Sequence, residues 1–438
     1  MARFRELVSG ALMLLLMPAA ALAQDDNKHT REASKSIGLA MTRQDEAERT
    51  EMYQQALAAL ERGMAEEPDH AQTWFLAGGV YAALGRFDEA DAAFDKAVEL
   101  HPEYQQDIAA EREQAWMYAF NAGVAAMDVQ DYAAAITALE AAVELYPDRP
   151  ESYLNLGSLY ANQGNPEKAV EVLTRAQEVL QGPMVEQLSE ETKAEWARYS
   201  EMAGINIAQM SGQAGVQAFQ DQDYPTAAAM FKAAAEQNPH SRDFRYNYVQ
   251  SLFAQAQELE QVRDSMLAIA QAASGQEETT AAAAVEQAEQ ELIPVYKALL
   301  DGFNAVLPLD PNNEMLYLIA ARAVRMNGIL SGDEAAQKAG QDSALALLTT
   351  REQLPVEISD LTLSPAGEAT AVTGTLTNRN VAAGAQVVIH LTLLGMDGNA
   401  VGETDVTVAA PEADSAATFE ASVPTAGEIA GWKYEVRT

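Results

Sequence analysis

Apolar and small residues recur at helical spacing from about Ile37 to about Leu348, and beyond Pro355 the pattern changes to alternation. The clearest helical stretch is AQTWFLAGGVYAALGRFDEADAAFDKAVELHPEY, Ala71 to Tyr104. Trp74, Gly78 and Tyr81 share a face of one predicted helix, Ala90, Phe94 and Ala97 a face of a second, and Pro102 closes the pair. In an antiparallel pair the small residues let two backbones approach, while the aromatic rings fill the space beside them. Counting back from later prolines puts like residues at like offsets. The stretch ending at Pro147 gives Gly123, Ala126, Ala135, Leu139 and Ala142, and the one opening at Pro150 gives Leu156, Gly157, Tyr160, Ala169 and Leu173. The stretch ending at Pro239 gives Gly215, Ala218, Ala227, Phe231 and Ala234. Ala56, Leu60, Gly63 and Pro68 read as the second helix of an earlier unit, and Val295 to Asn313 keeps the helix-then-proline ending without the small residues.

This unit resembles the tetratricopeptide repeat, and the resemblance covers roughly residues 37 to 345. It implies an α-solenoid whose first helices line an inner groove. The places that face that groove in the family hold Gln72, Phe75, Gly79, Ala82 and Ala83 in one unit, and Met117, Phe120, Val124, Met127 and Asp128 in the next. The following unit holds Glu151, Leu154, Ser158, Ala161 and Asn162 there. No lysine or arginine occupies these places, which argues against a clamp for a terminal carboxylate. Asn121, Asn155 and Asn247 sit at a common asparagine place and read as ordinary repeat residues. Phe75, Met117, Phe120, Val124, Met127 and Leu154 are therefore expected to form an apolar groove for a peptide or helix of a partner. The competing reading is that they are core, or that the chain's own leader or insertion covers them.

From Pro355 the runs VEISDLTL, ATAVTGTLTN, QVVIHLTLL, VGETDVTV, ATFEASV and WKYEVRT predict short strands, with Asp397 and Gly398 as a hairpin signal. Six or seven strands in about 84 residues suit a small all-β sandwich. TGTLTN, VVIHLTLLGMDGNAVG and the closing WKYEV resemble immunoglobulin-like domains of the FxLYD type, although the naming motif is not intact. That resemblance implies an extracytoplasmic module without catalytic residues.

The first residues bear on location. Arg3 and Arg5 precede the apolar run LVSGALMLLLMPAAALA, and Ala21 to Ala23 form a small-residue cleavage site. The expectation is a signal peptide over residues 1–23, a flexible leader over 24–36, helical repeats over 37–350 and the sandwich over 355–438, in a periplasmic or secreted protein. The polar run QDDNKHTREASKS carries no periodicity, VEQLSEETKAEWARYSEMAGINIAQ predicts a lengthened helix, and SGQEETT predicts a loop. NGILSGDE, from Asn327 to Glu334, is expected to separate two final helices that cap the repeats.

Composition narrows the chemistry. With no cysteine, a lipid-modified cysteine, a disulfide framework and thiol chemistry are excluded. A formal net charge of −37 disfavours nucleic acid and anionic lipid as partners. His29, His70, His101, His240 and His390 are scattered rather than set one helical turn apart, so neither a metal nor a cofactor is expected. No nucleophile elbow or phosphate-binding glycine loop stands in the right context. The sequence thus predicts a noncatalytic scaffold or adaptor of the cell envelope that binds a protein partner, ahead of a self-associating surface module or a cell-wall enzyme.

Overall fold

The computed structural model describes residues 26–367 and 369–438. The expected signal peptide and the first two leader residues lie outside the described residues. The fold is mainly α, with helix pairs of tetratricopeptide type followed by two small antiparallel sheets. The described residues fall into two compact units. One comprises residues 26–163 and Arg175–Glu190, the other Gly164–Thr174 and Glu191–Thr438.

In the first unit α1 (Lys28–Thr42) packs on α2 (Glu46–Glu66), α3 (Ala71–Ala83) on α4 (Phe87–Leu100), and α5 (Gln105–Asp128) on α6 (Tyr132–Leu145). Then follows α7 (Pro150–Asn162), while α8 (Pro166–Leu180) runs across the division between units. The glycines expected at helix crossings are there. A Cβ on Gly78 would lie 2.5 Å from the Phe94 ring, and one on Gly123 would lie 2.6 Å from Leu139. Ala90, Phe94, Tyr81, Gly157 and Tyr160 are buried, and Pro102 opens the 3₁₀ turn Pro102–Tyr104. Trp74 is half-buried, and its indole N–H donates to the Pro68 carbonyl at 2.8 Å.

Seven residues after each repeat glycine the chain turns left-handed. Gly85 (φ 74°) follows Gly78, Gln130 (φ 62°) follows Gly123, Gly164 (φ 73°) follows Gly157 and Gln222 (φ 64°) follows Gly215. At three of these turns the next residue donates back into the helix: Arg86 to Tyr81, Asp131 to Ala126 and Asp223 to Ala218, each at 2.9 Å. This six-residue closure satisfies carbonyls that the helix end leaves open and reverses the chain.

The expectation of a flexible leader is corrected from residue 28 onward. Asn27 caps α1 by accepting from the backbone of His29 and Thr30, and the Thr30 hydroxyl accepts from the Asn27 backbone. His29, Thr30 and Ala33 are buried, and His29 Nε2 lies 3.1 Å from Glu66 on α2. These contacts are tertiary, so the polar sequence alone does not announce the helix.

The second unit holds α9 (Glu190–Gln220), α10 (Tyr224–Gln237), α11 (Arg242–Ala272), α12 (Gln276–Val306), α13 (Glu314–Leu330) and α14 (Glu334–Glu352). The lengthened helix is α9, which spans 31 residues. SGQEETT is not the expected loop, because α12 begins at Gln276 directly after left-handed Gly275. Glu277 and Glu278 suit a helix N-terminus, and the Thr279 and Thr280 hydroxyls donate to carbonyls one turn back. NGILSGDE separates α13 and α14 only through Ser331–Asp333, its first four residues being the end of α13. Those two helices touch closely: a Cβ on Gly340 would meet the Val324 carbonyl at 2.6 Å.

Strands β1 (Val356–Ala366), β2 (Ala369–Asn378), β3 (Gln386–Leu394), β4 (Ala400–Ala409), β5 (Ala416–Pro424) and β6 (Gly431–Arg437) form sheets of order β1-β2-β5 and β4-β3-β6. Val356, Leu376 and Phe419 of one sheet share a core with Ile389, Leu391, Trp432 and Tyr434 of the other. The loop between α12 and α13 joins this core to the helices. Asn312 donates from its side chain to the Val356 carbonyl (3.0 Å), and its carbonyl accepts from Ile358 N–H on β1 (3.4 Å). The Asn312 N–H donates to the Tyr434 hydroxyl on β6 (3.2 Å). Glu314 receives both Arg351 and Arg379, and a Cβ on Gly431 would overlap the His240 carbonyl. The sandwich is thus seated on the helices through buried polar groups as well as by the chain itself.

Candidate binding cleft

In the first unit a cleft of about 50 Å³ opens where α1, α2, α3 and α5 meet. Ile37 and Met41 come from α1, Tyr53 from α2, Phe75, Gly79 and Ala82 from α3, and Glu111, Gln114 and Tyr118 from α5. α1, α3 and α5 each contribute residues three or four apart, which is why they converge on one face, and α2 adds Tyr53 alone. Phe75 forms the floor. It is 5% exposed, with the Tyr104 ring centroid 5.8 Å from its own. Met41 and Tyr118 stand at the rim, both close to 40% exposed (42% and 41%).

Glu111 is the one carboxylate in this lining. Burial, and then the charge of Asp107 one turn earlier, push its carboxyl up to about 7. Burial likewise raises the Tyr53 hydroxyl, with Tyr118 adding to the rise and Arg49 opposing it. The neighbouring Arg112 does not neutralise Glu111, because its guanidinium is held by Asp91 and Asp95 on α4. Gln114 donates to the Tyr118 hydroxyl at 3.4 Å.

Of the expected groove residues, Phe75 is in this cleft together with Gly79, Ala82 and Ala83. Phe75 does not stand on an open face: its ring is core, packed against Tyr104, and it lines the cleft from that buried position. Met117 is 45% exposed, while Phe120, Val124, Met127 and Leu154 are half-buried, and none of these five belongs to the lining. Phe120 lies face to face with Trp116 at 5.2 Å, and the Trp116 indole donates to buried Ser152 at 2.9 Å, so this part of α5 is committed to packing on α7. Sequence reasoning missed Ile37, Met41, Tyr53, Glu111 and Tyr118. The signal for α5 was its length: 24 residues, starting well before the Trp116 position at which a repeat-length helix begins.

A second, shallower hollow of about 390 Å³ in the other unit is lined by Val216, Phe219, Gln220, Phe231, Asn247 and Gln250, none of them charged. Among the described residues no three His, Asp or Glu side chains are grouped to hold a metal, and no helix is long and apolar enough to cross a membrane.

A tetratricopeptide-repeat family model matches residues 120–181 and 213–277, and a second model of the same description matches residues 49–111. These segments are tetratricopeptide repeats. They cover α2 to α4, the second half of α5 through α8, and the end of α9 through α11. No curated protein matches the chain. Among solved structures it is similar to MamA from Desulfovibrio magneticus RS-1, at 19% identity over 47% of this chain and 94% of that one (TM-score 0.19). It is also similar to TTC0263, a thermophilic tetratricopeptide-repeat protein of Thermus thermophilus, at 19% identity over 50% and 98% (TM-score 0.16). Naa15/Naa10 bound to HypK-THB aligns at 16% identity over 73% of this chain and 58% of that one (TM-score 0.22). At these TM-scores the alignments carry no argument about assembly or partner.

Proposed function

We propose that the protein is an exported, noncatalytic scaffold of the cell envelope, whose tetratricopeptide repeats hold a peptide or helix of a partner protein. The observation that carries this reading is the cleft over Phe75, where four helices present an apolar, partly open surface. Tetratricopeptide-repeat proteins in general serve as protein-interaction scaffolds. Export is supported by the sequence alone, through Arg3, Arg5 and the apolar run behind them. The sandwich, read as immunoglobulin-like, offers a second contact, since each three-stranded sheet keeps edge strands to which a partner strand can add.

The test is affinity capture from the envelope fraction of the source organism, comparing the unaltered chain with a Met41→Glu, Tyr118→Glu variant. Both positions are at the rim, so the variant is expected to fold. A protein captured by the first and lost by the second supports the cleft. Identical capture by a folded variant removes the cleft from the function.

A further inference from the structure

The cleft combines apolar walls with one feature that a purely apolar peptide does not use. Its walls are aromatic and aliphatic, from Phe75, Tyr53, Tyr118 and Ile37, but Glu111 stands among them. Its Oε2 lies 3.6 Å from where a Cβ on Gly79 would be, so the carboxylate rests over bare backbone of α3. The charged and titratable groups near it are few. Asp107 on its own helix is a second negative charge, Tyr53 and Tyr118 contribute hydroxyls from α2 and α5, Arg49 of α2 acts on Tyr53 from outside the lining, and the lining residues from α1 and α3 carry no ionisable group. Arg112 is already paired with Asp91 and Asp95. A carboxyl kept in an apolar cleft without a cation is relieved by holding its proton, and its ionised form is relieved by a cation that arrives from outside.

The size of the space narrows what that cation can be. About 50 Å³ has room for roughly three or four water-sized groups, the tip of one extended side chain rather than a whole helix face. An apolar stem with a positive head is the chemistry of lysine, whose methylenes lie along apolar surface while the ammonium finds an acceptor.

We infer that the cleft seats a lysine side chain of a partner protein segment, its stem against Phe75, Tyr53 and Tyr118 and its ammonium on Glu111. This rests on the scaffold reading above and adds the chemistry of the partner. It also fixes a pH response. The free carboxyl is half-protonated at about pH 7, whereas the lysine-bound form is ionised. Binding therefore releases a proton below neutrality and tightens as pH rises towards 7, levelling off above it, since lysine itself stays charged to about pH 10.

The experiment is calorimetric titration of the full chain with two short, otherwise neutral leucine-rich helical peptides, one with a central lysine and one with norleucine in its place. The expected result is that at about pH 8 the lysine peptide binds at least about tenfold more tightly. That preference shrinks towards about pH 6 and is lost in Glu111→Gln, which keeps the shape of the side chain. Two results overturn the lysine seat while leaving the groove reading intact: equal binding of both peptides, or a lysine preference that survives Glu111→Gln. Failure of both peptides to bind, to the full chain and to a chain lacking residues 1–23 alike, overturns both. Binding seen only after removal of residues 1–23 makes this chain's own basic and apolar start the occupant, and overturns the partner.

Discussion

The Tyr434 hydroxyl on β6 donates to Asp310 Oδ1 at 2.7 Å, in the loop between α12 and α13, and both residues are almost wholly buried. Burial first, then the Asp310 charge, holds Tyr434 well above the ordinary tyrosine range, so it remains a donor. Arg242 of α11 holds the other carboxylate oxygen and lies over the Trp432 ring at 5.3 Å. Three elements far apart in sequence thus meet on one carboxylate.

Removing that carboxylate takes away the buried partner of a guanidinium. Asp310→Ala is expected to lower stability by about 2–4 kcal/mol, because Arg242 then keeps only the exposed Asp243 as counter-charge, whereas Tyr434→Phe costs about 1–2 kcal/mol. Chemical denaturation of the full chain distinguishes them. Equal, small effects would mean the joint is wetter than its burial indicates. By the same reasoning a fragment beginning at Pro355 is expected to melt below the sandwich transition of the full chain.

The two left-handed glutamines lend themselves to a stabilising change. Gln130 and Gln222 occupy the turn position that Gly85 and Gly164 fill elsewhere. Each glutamine→glycine change is expected to raise stability by about 0.5–1 kcal/mol, relief of the side-chain clash outweighing the greater freedom of the unfolded chain. Thermal melting reads the gain, and a lower melting temperature in both variants would contradict it.

Helix glycines divide into two kinds. Gly78→Ala is expected to cost about 1–3 kcal/mol by pressing on Phe94. Gly38→Ala, with nothing within 4 Å of the new methyl group, is expected to gain up to about 1 kcal/mol from helix propensity. A comparison of the two by urea denaturation is the check, and equal effects would refute the crossing argument.

Glu111 makes stability depend on pH. Its carboxyl is raised to about 7 in the folded chain, above an unfolded value near about 4.3, so the folded state holds its proton more tightly. Its ionisation therefore takes stability away as pH rises from about 4.5 to about 7, by about 2 kcal/mol once solvent access is allowed for, and little more above that. Glu111→Gln should be more stable than the unaltered protein at about pH 8 and equal to it near about pH 4. An unchanged difference across that range would show the carboxylate to be solvated.

How much of this is legible in the chain follows from the range of each interaction. The helix pairs are written locally: Trp74, Gly78, Tyr81, Ala90 and Phe94 recur at offsets set by helical geometry, and each small residue faces a large one a fixed distance later. Alternation after Pro355 announces the strands for the same reason, since side-chain direction in a strand depends only on position along it. Helix α1 is different, because His29 and Thr30 are polar residues that become core only when α2 is beside them. Phe75 and Phe120 sit at groove places of the repeat, yet Tyr104 covers one and Trp116 stacks on the other, from positions the template does not specify. Glu111 reads as one acidic residue among many until four helices close around it. Most helices and the strands follow from the sequence, α1 and the first turn of α12 excepted, because their signals lie among neighbours within a turn or two. The tertiary structure alone decided which faces are open and which charges are left without water, because desolvation belongs to whatever surrounds a group and not to the segment that carries it.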